Sequence, residues 1–407
     1  MHTPLYLDTS SAVDGFLETI AEARTLALDT EGASFHRFVD RIYLLQLSTR
    51  DKTAIIDPLP IGTPALLGAL LESSDVEVVF HDADYDLRLL QQDYGWHVRN
   101  IFDTRVAAQL LGLRAFGLAA LLERYFGVKL DKKHQRADWS MRPLSQGMLD
   151  YAAQDTIHLL ELRDRLEADL DRAGRLGWAR EEFALLEGTR WPDDDSANAF
   201  LRVKGARDLT RRELAVLREL VPWRDAIASQ LDRATFRVIG NEQLLEVARQ
   251  QPATREVLAA IKGMPRGLLE ARGGELLDAV RRGQAVPEPD LPRFPKAPRW
   301  DRDPEFDSRV NALKTVRDAT ATRLDLDPGV LCARDRLEAV ARKNPATREE
   351  LAQVSELRRW QAAVLGEDFL KALASHRGGG SVPSTPAPER RAARSDDDSP
   401  YSDYKPM

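Results

Sequence analysis

Leu26-Ala27-Leu28-Asp29-Thr30-Glu31 is a short apolar run that ends on two carboxylates. An unbroken apolar run bounded by polar residues reads as a buried strand. Alternation along a strand puts residues two apart on one face, so Asp29 and Glu31 can converge on one hard cation. Outward from it lie three more such runs, Ile42 to Leu47, Thr53 to Asp57 and Val76 to Phe80. Between and after them, Pro64 to Leu71, Tyr85 to Gln92, Thr104 to Leu111 and Leu118 to Tyr125 carry apolar residues at helical spacing. Ser145 to Leu170 reads as one or two longer helices. Strands that follow one another and then alternate with helices predict a mixed sheet flanked by helices, an α/β domain over residues 1–195.

After Trp191 the strand signal disappears and the rest reads as helix. Val247 to Ala259 matches Val340 to Ala352 at 10 of 13 positions with a constant offset of 93, which implies two copies of one small helical module. The expected division is a first module over 205–285, a proline-rich linker over 286–304 (Pro287, Pro289, Pro292, Pro295, Pro298), a second module over 305–376 and a disordered tail over 377–407.

The 407 residues are 43% hydrophobic and 30% charged, too many for one ordinary core. No apolar run approaches the roughly 20 residues that span a bilayer, and Met1 to Asp14 lacks a basic region followed by an apolar stretch. With one cysteine, Cys332, there is no intramolecular disulfide and no thiolate zinc cluster, so the expected compartment is the reducing cytoplasm, with no membrane. The net charge of -7 argues against a uniformly positive nucleic-acid coat but leaves local patches open; 47 of the 58 basic residues are arginine.

Asp-x-Glu alone decides little, since it recurs at Asp75 to Glu77 and Asp303 to Glu305. What sets Asp29 and Glu31 apart is the buried strand that delivers them. A second acidic element, His81-Asp82-Ala83-Asp84-Tyr85-Asp86, follows the fourth strand. It resembles the opening of a calcium loop, but Leu87 stands where a glycine is needed and Asp93 where a bidentate Glu is needed. Asp82 or Asp84 is expected to cap the helix that follows, and Asp86 to bind metal. The third element is Tyr151-Ala152-Ala153-Gln154-Asp155, where a spacing of four puts phenol and carboxylate on one helical face. Four carboxylates (Asp29, Glu31, Asp86, Asp155) on three elements are the inventory that two-metal phosphodiester hydrolysis needs, and oxygen-only ligands favour two divalent cations of the Mg²⁺ or Mn²⁺ type.

In order and context these three elements resemble the exonuclease motifs of the tyrosine-type DEDD 3′–5′ exonucleases. The histidine-type branch has His five residues before the last Asp, where this chain has Asp150. Asp138-Trp139-Ser140-Met141-Arg142-Pro143-Leu144 ahead of the third motif is similar to the ribonuclease D family, and the helical copies resemble HRDC modules. The resemblance implies a ribonuclease-H-like α/β exonuclease domain followed by two small all-α HRDC-type domains. It implies catalytic Asp29, Glu31, Asp86, Tyr151 and Asp155, and a metal-dependent 3′–5′ exoribonuclease acting on RNA such as tRNA precursors with single-stranded 3′ ends, in tRNA 3′ maturation. A DNA-directed 3′–5′ exonuclease in repair and a non-catalytic RNA-binding protein are the alternatives.

Basic residues with interleaved aromatics suit single strands, because phosphate tracking and base stacking act together. Glu123 to Arg142 has six Lys or Arg against three acids, and Lys132, Lys133, Arg136, Trp139 and Arg142 are its candidate RNA contacts; a structural Trp139 is the competing reading. Arg202 to Arg218 is a second basic stretch.

Overall fold

A computed structural model of the protein describes residues 4–130, 133–192, 195–295 and 303–377. The tail from 378, the end of the predicted linker and Lys132 lie outside the described residues. Six strands form one sheet: β1 Leu5–Leu7, β2 Thr25–Glu31, β3 Leu44–Ser48, β4 Thr53–Ile56, β5 Glu77–Phe80 and β6 Ile101–Asp103, in the order β1-β4-β3-β2-β5-β6. β2 runs antiparallel to β3 and parallel to β5, so the sheet is mixed, as the run of strands predicts. The two edge strands are three residues long, too short to show a period, and the sequence reading misses both.

Among the described residues nine helices accompany the sheet: α1 Ser10–Glu18, α2 Pro58–Ile61, α3 Ala65–Leu71, α4 Asp84–Tyr94, α5 Thr104–Leu110, α6 Leu118–Phe126, α7 Gln146–Ile157, α8 Leu159–Arg172 and α9 Leu176–Leu186. The long helical stretch predicted from Ser145 is therefore two helices that meet at His158. Leu26 and Leu28 of β2 face a core with Phe80, Leu87 and Leu90. Ala27, one residue out of phase, faces another core with Leu121, Leu160 and Leu166. β2 is thus covered on both sides.

The two modules repeat helix for helix. The first has α10 Arg211–Leu231, α11 Thr235–Val238, α12 Asn241–Gln250, α13 Arg255–Ala260 and α14 Arg266–Gln284; the second has α15 Phe306–Leu324, α16 Pro328–Leu331, α17 Arg334–Lys343, α18 Arg348–Leu351 and α19 Arg359–Arg377. The offset of 93 holds for the ends of α10 and α15 and for the starts of α14 and α19, even where the side chains no longer match. Two left-handed residues recur in the same register, Asp232 with Asp325 and Gln251 with Asn344.

Compactness does not follow chain order. One unit takes in the chain up to Glu31, Ile42 to Arg190 and the described residues from 303 on; the other takes in Gly32 to Arg41 and the described residues from Trp191 to 295. The second module therefore belongs with the sheet domain. Its Leu313, Val340, Leu365 and Phe369 share one apolar cluster with Ala107, Leu162, Ala179 and Phe183. Trp178 stacks on Trp360 at 4.7 Å between centroids. Glu181 accepts from the amides of Arg359 (2.7 Å) and Trp360 (3.0 Å) at the start of α19, and Trp360 Nε1 donates to Glu182 at 2.8 Å. The described part of the proline-rich connector is likewise packed: Leu291 is buried, and Phe294 lies under Arg207 against the first module's core.

Candidate active site

Asp29 and Glu31 stand at the carboxyl end of β2, on the face opposite Leu26 and Leu28. Asp155 reaches them from α7, and ligand oxygens of the three lie within 4.8 Å of one another. α7 approaches the sheet closely because its inner face is Ala152 and Ala153, both buried, and it is pinned by Thr156, whose hydroxyl is 2.8 Å from that of Ser48 on β3. Asp86, in the first turn of α4, is buried. Its Oδ1 accepts from the amide (2.9 Å) and the hydroxyl (2.6 Å) of Thr30, the residue between Asp29 and Glu31. Thr30 thus ties the fourth carboxylate to the strand that carries two of the others.

The set is electrostatically uncompensated. Burial pushes Asp29, Glu31 and Asp86 well above the usual carboxyl range, and mutual repulsion adds to it: Asp155 acts on Asp29, Asp29 on Asp86, and all three on Glu31. Asp155 is raised to about 7, by burial and then by Asp86. None of the four forms a salt bridge to a Lys, Arg or His among the described residues, unlike Asp57, Glu77 or Asp164 elsewhere in the same domain. Like charges crowded at low hydration without a protein cation fit a hard divalent cation bound by oxygen. Asp29, Glu31 and Asp155 are only half-buried, so an ion can reach them.

Tyr151 lies one turn before Asp155 on α7. Its ring is wedged between Trp139 (6.0 Å) and the edge of His134 (6.2 Å). Trp139 is 2% exposed and packs in the core, so it offers no face for a base. Arg142 donates to both oxygens of Asp57, to the carbonyls of Tyr43 (2.9 Å), Trp139 (2.7 Å) and Met141 (2.8 Å), and is spent on holding the 133–145 segment to the sheet. Burial works to raise Asp57, but hydrogen bonds from Arg142 and Tyr6 outweigh it and hold its carboxyl below the usual range. Of the predicted RNA contacts, Lys133 and Arg136 are exposed.

One expectation shifts. Neither Asp82 nor Asp84 caps α4: Asp103, from β6, accepts from the amides of Asp82 (3.3 Å) and Ala83 (2.7 Å), while Asp82 pairs with Arg105 and Asp84 with Arg88. His81 is tied down beside it. Thr104 Oγ1 donates to the Phe80 carbonyl and so accepts from His81 Nδ1 at 2.9 Å, and burial, then Arg105, lowers His81 to about 3. A residue the sequence reading passes over is Gln46, the cross-strand neighbour of Asp29 on β3. It is 0% exposed, and neither side-chain atom has a partner. A polar residue inside Leu44-Leu45-Gln46-Leu47 is the signal that marks it.

Comparison with known proteins places this geometry. Residues 4–171 match the 3′–5′ exonuclease family, and 213–280 and 307–373 each match the HRDC domain. The chain is 31% identical over 370 residues to ribonuclease D of Gluconacetobacter diazotrophicus, covering 90% of this chain and 92% of that one. The chain belongs to the ribonuclease D family. Family membership makes it a 3′–5′ exoribonuclease. Among solved structures of the ribonuclease D type, that of Escherichia coli RNase D, described as an exoribonuclease involved in structured RNA processing, superposes with a TM-score of 0.70 at 26% identity over 92% of this chain and all of that one. The catalytic core of RRP6 from Trypanosoma brucei matches with a TM-score of 0.62 at 29% identity, over 70% of this chain and 81% of that one. No helix among the described residues is long and apolar enough to cross a membrane.

Proposed function

We propose that the protein is a divalent-metal-dependent 3′–5′ exoribonuclease that trims RNA 3′ ends, tRNA precursors among them, in the cytoplasm, with its catalytic centre at Asp29, Glu31, Asp86, Asp155 and Tyr151. The observation that carries this is the group of three half-buried carboxylates, with a fourth locked beside it through Thr30 and, among the described residues, no Lys, Arg or His paired with them. Two Mg²⁺ or Mn²⁺ ions bound there would neutralise charge on the scissile phosphate and supply a nucleophilic water at neutral pH.

The chain's own residues divide the remaining work. Asp29, Glu31 and Asp155 supply oxygen ligands; Asp86, held through Oδ1 by Thr30, is the fourth carboxylate of the set. The Tyr151 phenol orients the attacking water, and its ring is immobilised by Trp139 and His134. Lys133 and Arg136 are the RNA contacts that stay at the surface. The described role of the Escherichia coli relative in structured RNA processing supports tRNA precursors as the substrate class. The test is incubation with 5′-labelled single-stranded RNA, the DNA of the same sequence and a tRNA with an extended 3′ end, each with Mg²⁺, Mn²⁺ or EDTA. Stepwise 3′ shortening of the RNAs that EDTA stops is expected; shortening that persists in EDTA, or of DNA alone, overturns the reading.

A further inference from the structure

Gly32 to Arg41 leaves the sheet directly after Glu31 and returns at Ile42, yet it packs as part of the first helical module. The corner between α10 and α11 holds four of its residues, Phe35 to Phe38. Phe35 meets Phe236 edge to face at 5.0 Å, and its carbonyl accepts from Arg237 Nε at 2.6 Å. The His36 carbonyl accepts from the Ala234 amide at 3.2 Å, and His36 Nδ1 is 3.2 Å from the Arg237 guanidinium. Asp232, at the end of α10, takes Arg37 at 3.2 Å and the Phe38 amide at 3.4 Å, while the Phe38 ring joins the module's apolar core. One exposed ion pair is worth little. Four consecutive residues held by backbone bonds, a ring contact and core packing are another matter, because backbone geometry is then fixed residue by residue.

We propose that the first helical module is a positioning device for the catalytic strand end: by gripping Phe35 to Phe38 through Asp232, Phe236 and Arg237 it sets the path of the chain that emerges from Glu31. This rests on the reading of Glu31 as a metal ligand. Asp232 touches no reacting atom; it acts through the loop. The module then contributes to hydrolysis even of substrates too short to touch it.

Three variants of the full chain test this. Asp232→Gly keeps the left-handed backbone at the end of α10 (φ +44°) but removes the carboxylate; Asp232→Asn keeps an acceptor there; Phe236→Ala removes the ring contact. On a tetranucleotide RNA, Asp232→Gly and Phe236→Ala are expected to lower kcat roughly 10- to 100-fold with KM within about twofold, since small misplacements of ligands cost rate. They should also raise the Mn²⁺ concentration for half-saturation, read by the electron paramagnetic resonance of free Mn²⁺, and increase hydrogen exchange in peptides spanning 29–43. Asp232→Asn should restore most of each. As a control, Asp325→Ala in the second module should leave all three readouts unchanged. Unchanged kcat, Mn²⁺ binding and exchange in Asp232→Gly and Phe236→Ala overturn the proposal, as does an equal loss in Asp325→Ala, which would show general destabilisation. A wild-type protein that hydrolyses no RNA would instead defeat the exonuclease reading.

Discussion

Asp232 and Asp325 hold the same position in the two modules, and both grip a segment from the first two hundred residues. Each ends its module's first long helix in the left-handed region, at φ +44° and +49°. Asp232 takes Arg37 and the Phe38 amide; Asp325 takes Arg114, and its carbonyl closes on Gly112. Left-handed helix ends usually fall on glycine, with Asn and Asp the tolerated exceptions. An aspartate keeps the turn and adds a side chain that can bind. One surface of the module, the corner after its first helix, has thus been used twice on unrelated partners.

The second of these contacts makes Gly112 irreplaceable. A Cβ there would sit 2.1 Å from the Asp325 carbonyl oxygen, at a φ of +80°. Gly112→Ala should cost about 2–4 kcal/mol, from backbone strain and overpacking together. Gly174, at φ +68° with open space around it, should lose only about 1 kcal/mol on the same change. Urea denaturation of both variants gives the comparison.

Gln46→Leu should move stability and activity in opposite directions. It removes two buried polar atoms that lack partners and keeps the volume, so the metal-free fold should gain about 1–3 kcal/mol. Beside Asp29 the loss of the amide should lower turnover. If stability falls instead, Gln46 is satisfied in solution and its role is structural.

The acidic cluster should make the metal-free protein less stable as pH rises. Carboxyls raised in the folded state bind protons there that the unfolded chain, titrating near 4, has already lost, so stability is full below about 4 and falls as pH climbs through about 7, the value for Asp155. In EDTA the melting temperature should therefore drop between pH 5 and 8. Asp155→Asn should flatten that drop and melt several degrees higher at pH 8, and saturating Mg²⁺ should do the same for the wild type. A melting temperature that rises with pH in EDTA would remove the electrostatic account.

Asp29→Ala should abolish hydrolysis while leaving the protein folded. Tyr151→Phe should keep its Mn²⁺ affinity but lose about 100- to 10,000-fold in rate, as expected for a group that orients a water and does not ligate. Loss of metal affinity in Tyr151→Phe would show that the phenol is a ligand.

Lys133→Ala with Arg136→Ala should weaken RNA binding and reduce the slope of log affinity against log salt by about 1.4, two single-strand phosphate contacts. Trp139→Ala should instead destabilise the fold by about 3–5 kcal/mol, because its ring is core. An unchanged salt slope in the double variant would move the RNA path elsewhere.

How much of this was legible depends on the range of the interaction. Strand alternation brings Asp29 and Glu31 to one face, and helical spacing sets Tyr151 and Asp155 on another; both rules are local. The capping of α4 was not legible because its acceptor, Asp103, comes from a strand twenty residues on, too short to be recognised. Trp139 among lysines and arginines looks like a stacking platform, and only Tyr151 and the sheet beneath show it to be core. The repeat announced two copies of a module, but amphipathic helices do not say what they will cover, so nothing in Phe306 to Arg377 foretold its union with α5, α8 and α9.

That union has a consequence for biosynthesis. The apolar cluster under α5 and α9 is completed by Leu365, Phe369 and Leu373, the last of its buried members to be synthesised. At about 5–20 residues per second, the stretch from Arg190 to Leu373 takes on the order of ten to forty seconds to make. During that interval the sheet and its acidic centre can form while Phe183, Trp178 and Ala179 still wait for their cover. The nascent protein must carry an open apolar flank for nearly half of its own synthesis, and a ribosome stalled in the second module releases a chain with its sheet assembled and its core unfinished.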